Sequence, residues 1–313
     1  MMRIAANKPG WQRIFGLALL VHVAGSITRW CFPELVSKSQ VWALAATVLV
    51  LKMLIDIPEA IQGYSRARRS GASAVGSLRN MVPVELIGMF RLERAMLRGF
   101  VDWLLRRPPA VPLMAGQRFG YYQGSQYATI FIIVMVACVT ELPLSHLLMD
   151  VMINDPVVAR YAHWGVLATA IYTIVLIFGD RYLVKHTQHV LAPDRVQLSV
   201  GARFHADIAL NAVENIFPID SAKELSEARK SWLRRNQFDP AETVIGTPID
   251  VPNVAIVLNK SVPVKIEKFR TAQHNVRNVL VYVDNPASFV EAVRNRMNAA
   301  EPAAEPAGEA LVR

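Results

Sequence analysis

Cysteine is almost missing from this chain: two residues among 313, Cys31 and Cys138, with no paired spacing. That excludes a disulfide framework and a cysteine-based zinc site, and both thiols read as packed side chains. Also missing are GxxxxGK followed by Ser or Thr, HExxH, GxSxG and GxGxxG. Phosphoryl transfer, zincin chemistry and serine hydrolysis therefore lose their usual sequence support, and neither a cofactor nor a metal is expected. Charge is scarce too. Charged residues are 19% and apolar ones 53%, a more apolar balance than a typical soluble domain has.

What is present is a set of four long apolar runs in residues 1–180, then ordinary globular sequence. A membrane helix needs about 20 mostly apolar residues. Candidates are 14–30 (IFGLALLVHVAGSITRW), 41–57 (VWALAATVLVLKMLIDI), 127–149 (YATIFIIVMVACVTELPLSHLLM) and 164–179 (WGVLATAIYTIVLIFG), the last completed by Tyr161–His163. The first follows Arg3, Lys8 and Arg13, as a signal peptide would. Its length and the lack of a small-x-small cleavage site indicate a retained anchor instead.

Residues 1–180 carry 17 Lys/Arg against 10 Asp/Glu, and 181–313 carry 17 against 15. Seven of the nine excess positive charges thus lie beside the apolar runs and not on a recognisable nucleic-acid reading helix. Attraction to anionic lipid explains it more simply, and no nucleic acid is expected. The 58–126 loop holds Arg66, Arg68, Arg69, Arg79, Arg91, Arg94, Arg98, Arg106, Arg107 and Arg118. The two short opposite connections hold only Lys38 and Arg160. By the positive-inside rule the long loop and both termini are cytoplasmic. Within that loop, 84–107 has helical periodicity, bounded by Pro83 and Pro108–Pro109. Arg91, Arg94, Arg98 and Asp102 form one stripe. The helix either lies in the leaflet surface, with Arg91, Arg94, Arg98, Trp103, Arg106 and Arg107 holding anionic head groups, or packs on the cytoplasmic ends of the spans.

Two carboxylates interrupt the apolar runs. Asp56 is four residues after Lys52, so the two meet on one helix face at the cytoplasmic end of span two. Glu141 lies 14 residues into span three, where a lone charge costs several kcal/mol, roughly 2.5–3.5 on insertion scales. It calls for a bundle-facing position, a water pocket or a polar partner. Pro143 loosens the turn beside it, so Glu141, Ser145 and His146 are expected around a kink, with His22 or His163 from other spans as further candidates. Packing glue and a functional site are both open for this trio. Two imidazoles three apart, His186 and His189, read as a juxtamembrane polar turn, and Asp180 as an interfacial carboxylate beside Arg181.

The globular part, 181–297, reads as α+β. Residues 194–210 alternate across Gly201 as a hairpin, 221–236 as a helix, and 253–269 as two strand-like runs around Asn259–Lys260. Val279–Val283 form a strand, Asn285 caps, and 286–297 form a helix with Phe289, Val290 and Val293 inward. Residues 298–313 are Ala/Glu/Pro-rich and expected to be disordered. Strand hairpins followed by DNPASFVEAVR, together with QRFGYYQGS (117–125) and ELPLSHLLM (141–149), resemble bacterial multi-span membrane proteins that carry a C-terminal PH-like domain. The resemblance covers roughly 115–297 and implies PH-like antiparallel strands closed by a C-terminal helix.

The expected architecture is therefore a four-span bundle over 1–180 with a basic cytoplasmic loop (58–126), a cytoplasmic PH-like domain over 181–297 and a tail over 298–313, placed in the cell inner membrane. The expected function is a scaffold or regulatory protein presenting a docking module at the inner leaflet. Its expected partners are anionic head groups and a protein bound by the C-terminal domain. The alternative is a membrane-embedded enzyme or proton-coupled carrier using Glu141 and His146.

Overall fold

The structure is a computed structural model, and it describes residues 10–71, 73–74, 77, 82–108, 114–153, 155–219, 233, 237–247, 249–259 and 264–300. The helix expected over 221–236 falls outside these, Leu233 apart, as do residues 301–313. The chain divides into two compact units, Met1–Phe90 and Arg91–Arg313. The break suggested by composition near residue 180 is not where the contacts place it, because the third and fourth apolar runs belong with the globular half.

In the first unit, α1 (Trp11–Cys31) and α2 (Lys38–Arg69) form a helical hairpin. Ser37 and Gln40 exchange bonds as a capping box at the start of α2, with Gln40 N–H donating to Ser37 Oγ (3.3 Å) and Ser37 N–H to Gln40 Oε1 (2.8 Å). The helix continues through Pro58 for 32 residues, about 48 Å at the standard rise. Lys52 Nζ sits 2.6 Å from Asp56 Oδ1 and 5.6 Å from the Trp11 ring centroid, so the one buried lysine of the run is neutralised by a carboxylate and an aromatic face. The His22 ring lies 4.4 Å from that of Trp42.

Helix α3 (Val84–Leu104) leads into the second unit, where α4 (Tyr127–Met152) and α5 (Pro156–His186) form another hairpin. Asp155 caps α5, with Pro156 at its first position. Among the described residues four helices are long and apolar enough to cross a membrane, Arg13–Cys31, Lys38–Arg69, Tyr127–Met149 and Pro156–His186.

Among the described residues ten strands make two sheets. One has the order β1 (Gln117–Phe119), β2 (His189–Leu191), β3 (Arg195–Val200), β4 (Phe204–Ala209), β8 (Lys265–Lys268), β9 (Thr271–Gln273). The other has the order β5 (Val213–Pro218), β7 (Val254–Leu258), β10 (Asn278–Val281), β6 (Thr243–Ile245). All pairs are antiparallel except β6 with β10, which is parallel. That departs from a purely antiparallel series. The two strand-like runs around Asn259 do not pair with each other; β7 and β8 lie in different sheets.

Strand β1 immediately precedes α4, β2 immediately follows α5, and the two pair (Gln117 with Leu191, Phe119 with His189). Between the sheets sits a core containing Leu198, Phe204, Ile208, Ile256, Ile266 and Val279. Helix α6 (Pro286–Ala300) closes it with Phe289, Val290 and Val293, and Phe289 meets Phe119 edge-on at 4.9 Å. The helix runs three residues into the stretch expected to be disordered. Asn285 Oδ1 accepts Ser288 N–H at its start (3.2 Å).

His189 belongs to this core and not to a metal pair. Ser199 N–H donates to its Nδ1 (3.2 Å), which leaves Nε2 to donate to Tyr282 O (3.1 Å). His186 instead faces Tyr182, ring centroids 4.2 Å apart. Complete burial holds the His189 pKa down at about 4 against an ordinary 6.5. A proton added at Nδ1 would face the Ser199 N–H, donor against donor. Because the folded-state value is the lower one, this stability is full above pH 6.5 and drains as pH falls toward 4. Denaturation midpoints measured across that window should show a loss of up to about 3 kcal/mol in the native chain. His189→Gln, whose amide can serve both bonds, should flatten the slope.

Candidate functional site: an arginine cleft at the base of two apolar helices

Helix α3 packs on α5 rather than standing free. The crossing is a glycine pair. A Cβ on Gly179 would collide with the Met96 carbonyl oxygen, and one on Gly99 would come within 2.7 Å of Gly179 O. Backbones therefore touch, and the flanking contacts follow. The Trp103 ring lies 5.1 Å from Phe178, the Tyr172 hydroxyl donates to Glu93, and the Tyr182 hydroxyl donates to Arg107 O. Of the two placements open for the 84–107 helix, this one is packing on the end of a long apolar helix.

The sheets are fastened at the same place. Arg203, the last residue of the β3–β4 turn, puts Nη2 2.6 Å from Asp180 Oδ2, and the Tyr127 hydroxyl donates to the same oxygen at 2.5 Å. Asp180 is 2% exposed, and its Oδ1 has no hydrogen-bond partner among the described residues. Beside it is a cavity of about 120 Å³ lined by Ile130, Phe131, Val134, Leu176 and Ile177. Asp180, read from sequence as an interfacial carboxylate beside Arg181, is instead buried: Arg181 lies over the Phe131 ring (4.1 Å), and the cation that meets Asp180 comes from 23 residues further on.

Gly201, at φ +52°, turns β3 into β4, and its N–H donates to both the Tyr121 hydroxyl (3.0 Å) and Thr187 Oγ1 (2.9 Å). Burial pushes the Tyr121 hydroxyl far above its ordinary pKa, so it stays a neutral link. Asp250 accepts from Ser125 Oγ and Gln126 N–H (2.7 Å each), and Asp284 accepts from Gln123 and Gly124 N–H (3.2 and 3.0 Å). Both carboxylates hold the turn that starts α4, where the helix dipole favours negative charge.

With α3 and the β3–β4 turn so placed, a cleft of about 360 Å³ opens between them, lined by Arg91, Arg94, Arg98, Asp102, Glu267 and Arg270 among others. Arg270 was invisible as a candidate. It sits in the two-residue β8–β9 turn, where Phe269 and Arg270 both have positive φ, 50° and 60°. Such a turn ordinarily takes Asn-Gly, so two side-chained residues there are strained. Lysine spacing or periodicity would not reveal it; the cue is a short turn without glycine. The rest of the 84–107 set separates from this cleft. Trp103, Arg106 and Arg107 line a second, more open recess with Tyr182 and His186.

Of the trio Glu141, Ser145 and His146, the two side chains that are described, Glu141 and Ser145, make no hydrogen bond to each other. Glu141 is exposed on α4 with no hydrogen bond or ion pair among the described residues, and Ser145 Oγ donates to its own helix at Leu142 O (2.9 Å). His146 is on α4, and its side chain falls outside the described residues. Pro143 is accommodated within a continuous helix. A scan against protein-family models, a search of curated proteins and a search of solved structures each found no match to the chain.

Proposed function

We propose that the chain is an integral inner-membrane protein that holds its α+β domain at the cytoplasmic face as a docking module, in the manner of a scaffold or regulator. The observation that carries this reading is that one unit joins lipid-like surface to a firmly seated polar domain. Ile132 and Ile133 are each 60% exposed and Leu147 64%, an apolar face that demands hydrocarbon or a partner. At the base of the same helices, Asp180–Arg203 and the carboxylates of Asp250 and Asp284 fasten the sheets. The arginine asymmetry supports cytoplasmic termini. Antiparallel hairpins and a closing helix support a PH-like module, from which the parallel β6–β10 pair departs. Trp103, Arg106 and Arg107 would sit at the lipid interface, and the exposed surface of the sheets would receive a protein partner.

The full chain, delipidated and reconstituted in nanodiscs of equal phosphatidylcholine and phosphatidylglycerol, is expected to retain phosphatidylglycerol preferentially in native mass spectra. Arg106→Ala with Arg107→Ala should move the ratio toward equality. Equal retention by the unaltered chain would count against the lipid contact, and release by alkaline extraction against the membrane anchor.

A further inference from the structure

The cleft between α3 and the β8–β9 turn brings four guanidinium groups together with only two carboxylates beside them. Arg91, Arg94 and Arg98 recur on one face of α3, and Arg270 arrives from the opposite wall. None of the four makes an ion pair or a side-chain hydrogen bond with a described residue. Nε of Arg270 is buried and has no acceptor among the described residues. Guanidinium charges confined together repel one another, and a buried donor left unmade is costly. A protein that also strains its backbone to hold Arg270 there gains nothing from an empty cleft.

We infer that this cleft binds a phosphate monoester. Four positive charges against Asp102 and Glu267 leave two in excess (four minus two). A monoester carries about −1.5 to −2 near neutral pH, whereas a diester carries one charge. Planar guanidinium forks match phosphate oxygens in bidentate fashion. The two carboxylates cannot face phosphate; they suit hydroxyl donors on the group that bears it. At about 360 Å³ the cleft is at the small end of ligand pockets, sized for a head group and not for acyl chains. The shared chemistry is a phosphate monoester, borne by a lipid or free in solution.

The inference deepens the docking reading, and only its lipid arm depends on it. Full-length protein in phosphatidylcholine nanodiscs is titrated with glycerol 3-phosphate. In parallel, nanodiscs contain equal minor fractions of phosphatidic acid, a monoester, or phosphatidylglycerol, a diester. Hydrogen exchange over 91–98 and 266–272 reports occupancy. Protection by glycerol 3-phosphate alone supports a soluble ligand, and protection by phosphatidic acid above phosphatidylglycerol supports a lipid one. Arg94→Ala and Arg98→Ala remove exposed side chains and should leave the fold intact. Each should weaken binding roughly ten- to a hundredfold, the worth of one charge-assisted bond. Equal protection by both lipids with no response to glycerol 3-phosphate overturns the inference, as does binding that survives the double variant. Either failure leaves the membrane anchoring intact, which the extraction experiment tests separately.

Discussion

Arg203→Ala is expected to destabilise the Arg91–Arg313 unit by about 3–5 kcal/mol, the range for a buried pair that loses one member. The Asp180 side chain is 4% exposed and that of Arg203 21%, so removing the cation strands a carboxylate in a largely apolar place. Only the Tyr127 hydroxyl would remain to bond it, and the neighbouring cavity offers Ile130, Leu176 and Ile177. Most of this loss is the cost of a stranded charge and not the worth of a contact. Asp180→Asn added to Arg203→Ala should therefore recover a large share of it. Thermal denaturation of the single and double variants in the same detergent decides the point. A double variant no more stable than Arg203→Ala would mean that the pair acts through packing alone.

Gly179→Ala should separate α3 from α5 even though alanine is the better helix former. The added methyl would collide with the Met96 carbonyl oxygen and crowd Phe100 N at 2.9 Å. No rotamer relieves a Cβ, so the helices must move apart. The cost should reach or exceed the upper end of the ~1–3 kcal/mol typical of overpacking. Trp103 would lose its 5.1 Å contact with Phe178, and its emission should shift to longer wavelength. Gly165→Ala on the same helix is the control. Nothing lies within 4 Å of its added Cβ, so it should be neutral or stabilising by up to about 1 kcal/mol. If both substitutions behave alike, the backbone crossing is not what holds α3.

Much of this arrangement was legible in the residues. Long apolar runs made long helices, and alternation about Gly201 made β3 and β4. The Asp284–Asn285–Pro286 stretch placed the start of α6, since proline and a side-chain cap act locally. What stayed illegible was non-local. The three-residue strands β1, β2, β6 and β9 carry too few positions for a period to show, and β1 and β6 are defined by partners far along the chain. Asp180 stood beside Arg181 in sequence, yet helical geometry points consecutive residues apart. The helix arginines were readable as a set. That Arg91, Arg94 and Arg98 would face Arg270, while Arg106 and Arg107 would turn to Tyr182 and His186, depended on the glycine crossing and on a strained turn 163 residues after Arg107.

Pairing of β1 with β2 sets an order of events during synthesis. The ribosome delivers Gln117–Phe119 some seventy residues before its partner, and the whole α4–α5 hairpin must be made in between. The edge of the larger sheet therefore cannot close until that hairpin is complete, which couples maturation of the polar domain to settlement of the apolar one. A fragment begun at residue 181 would be born without its first strand, with Phe289 lacking the Phe119 ring it packs against.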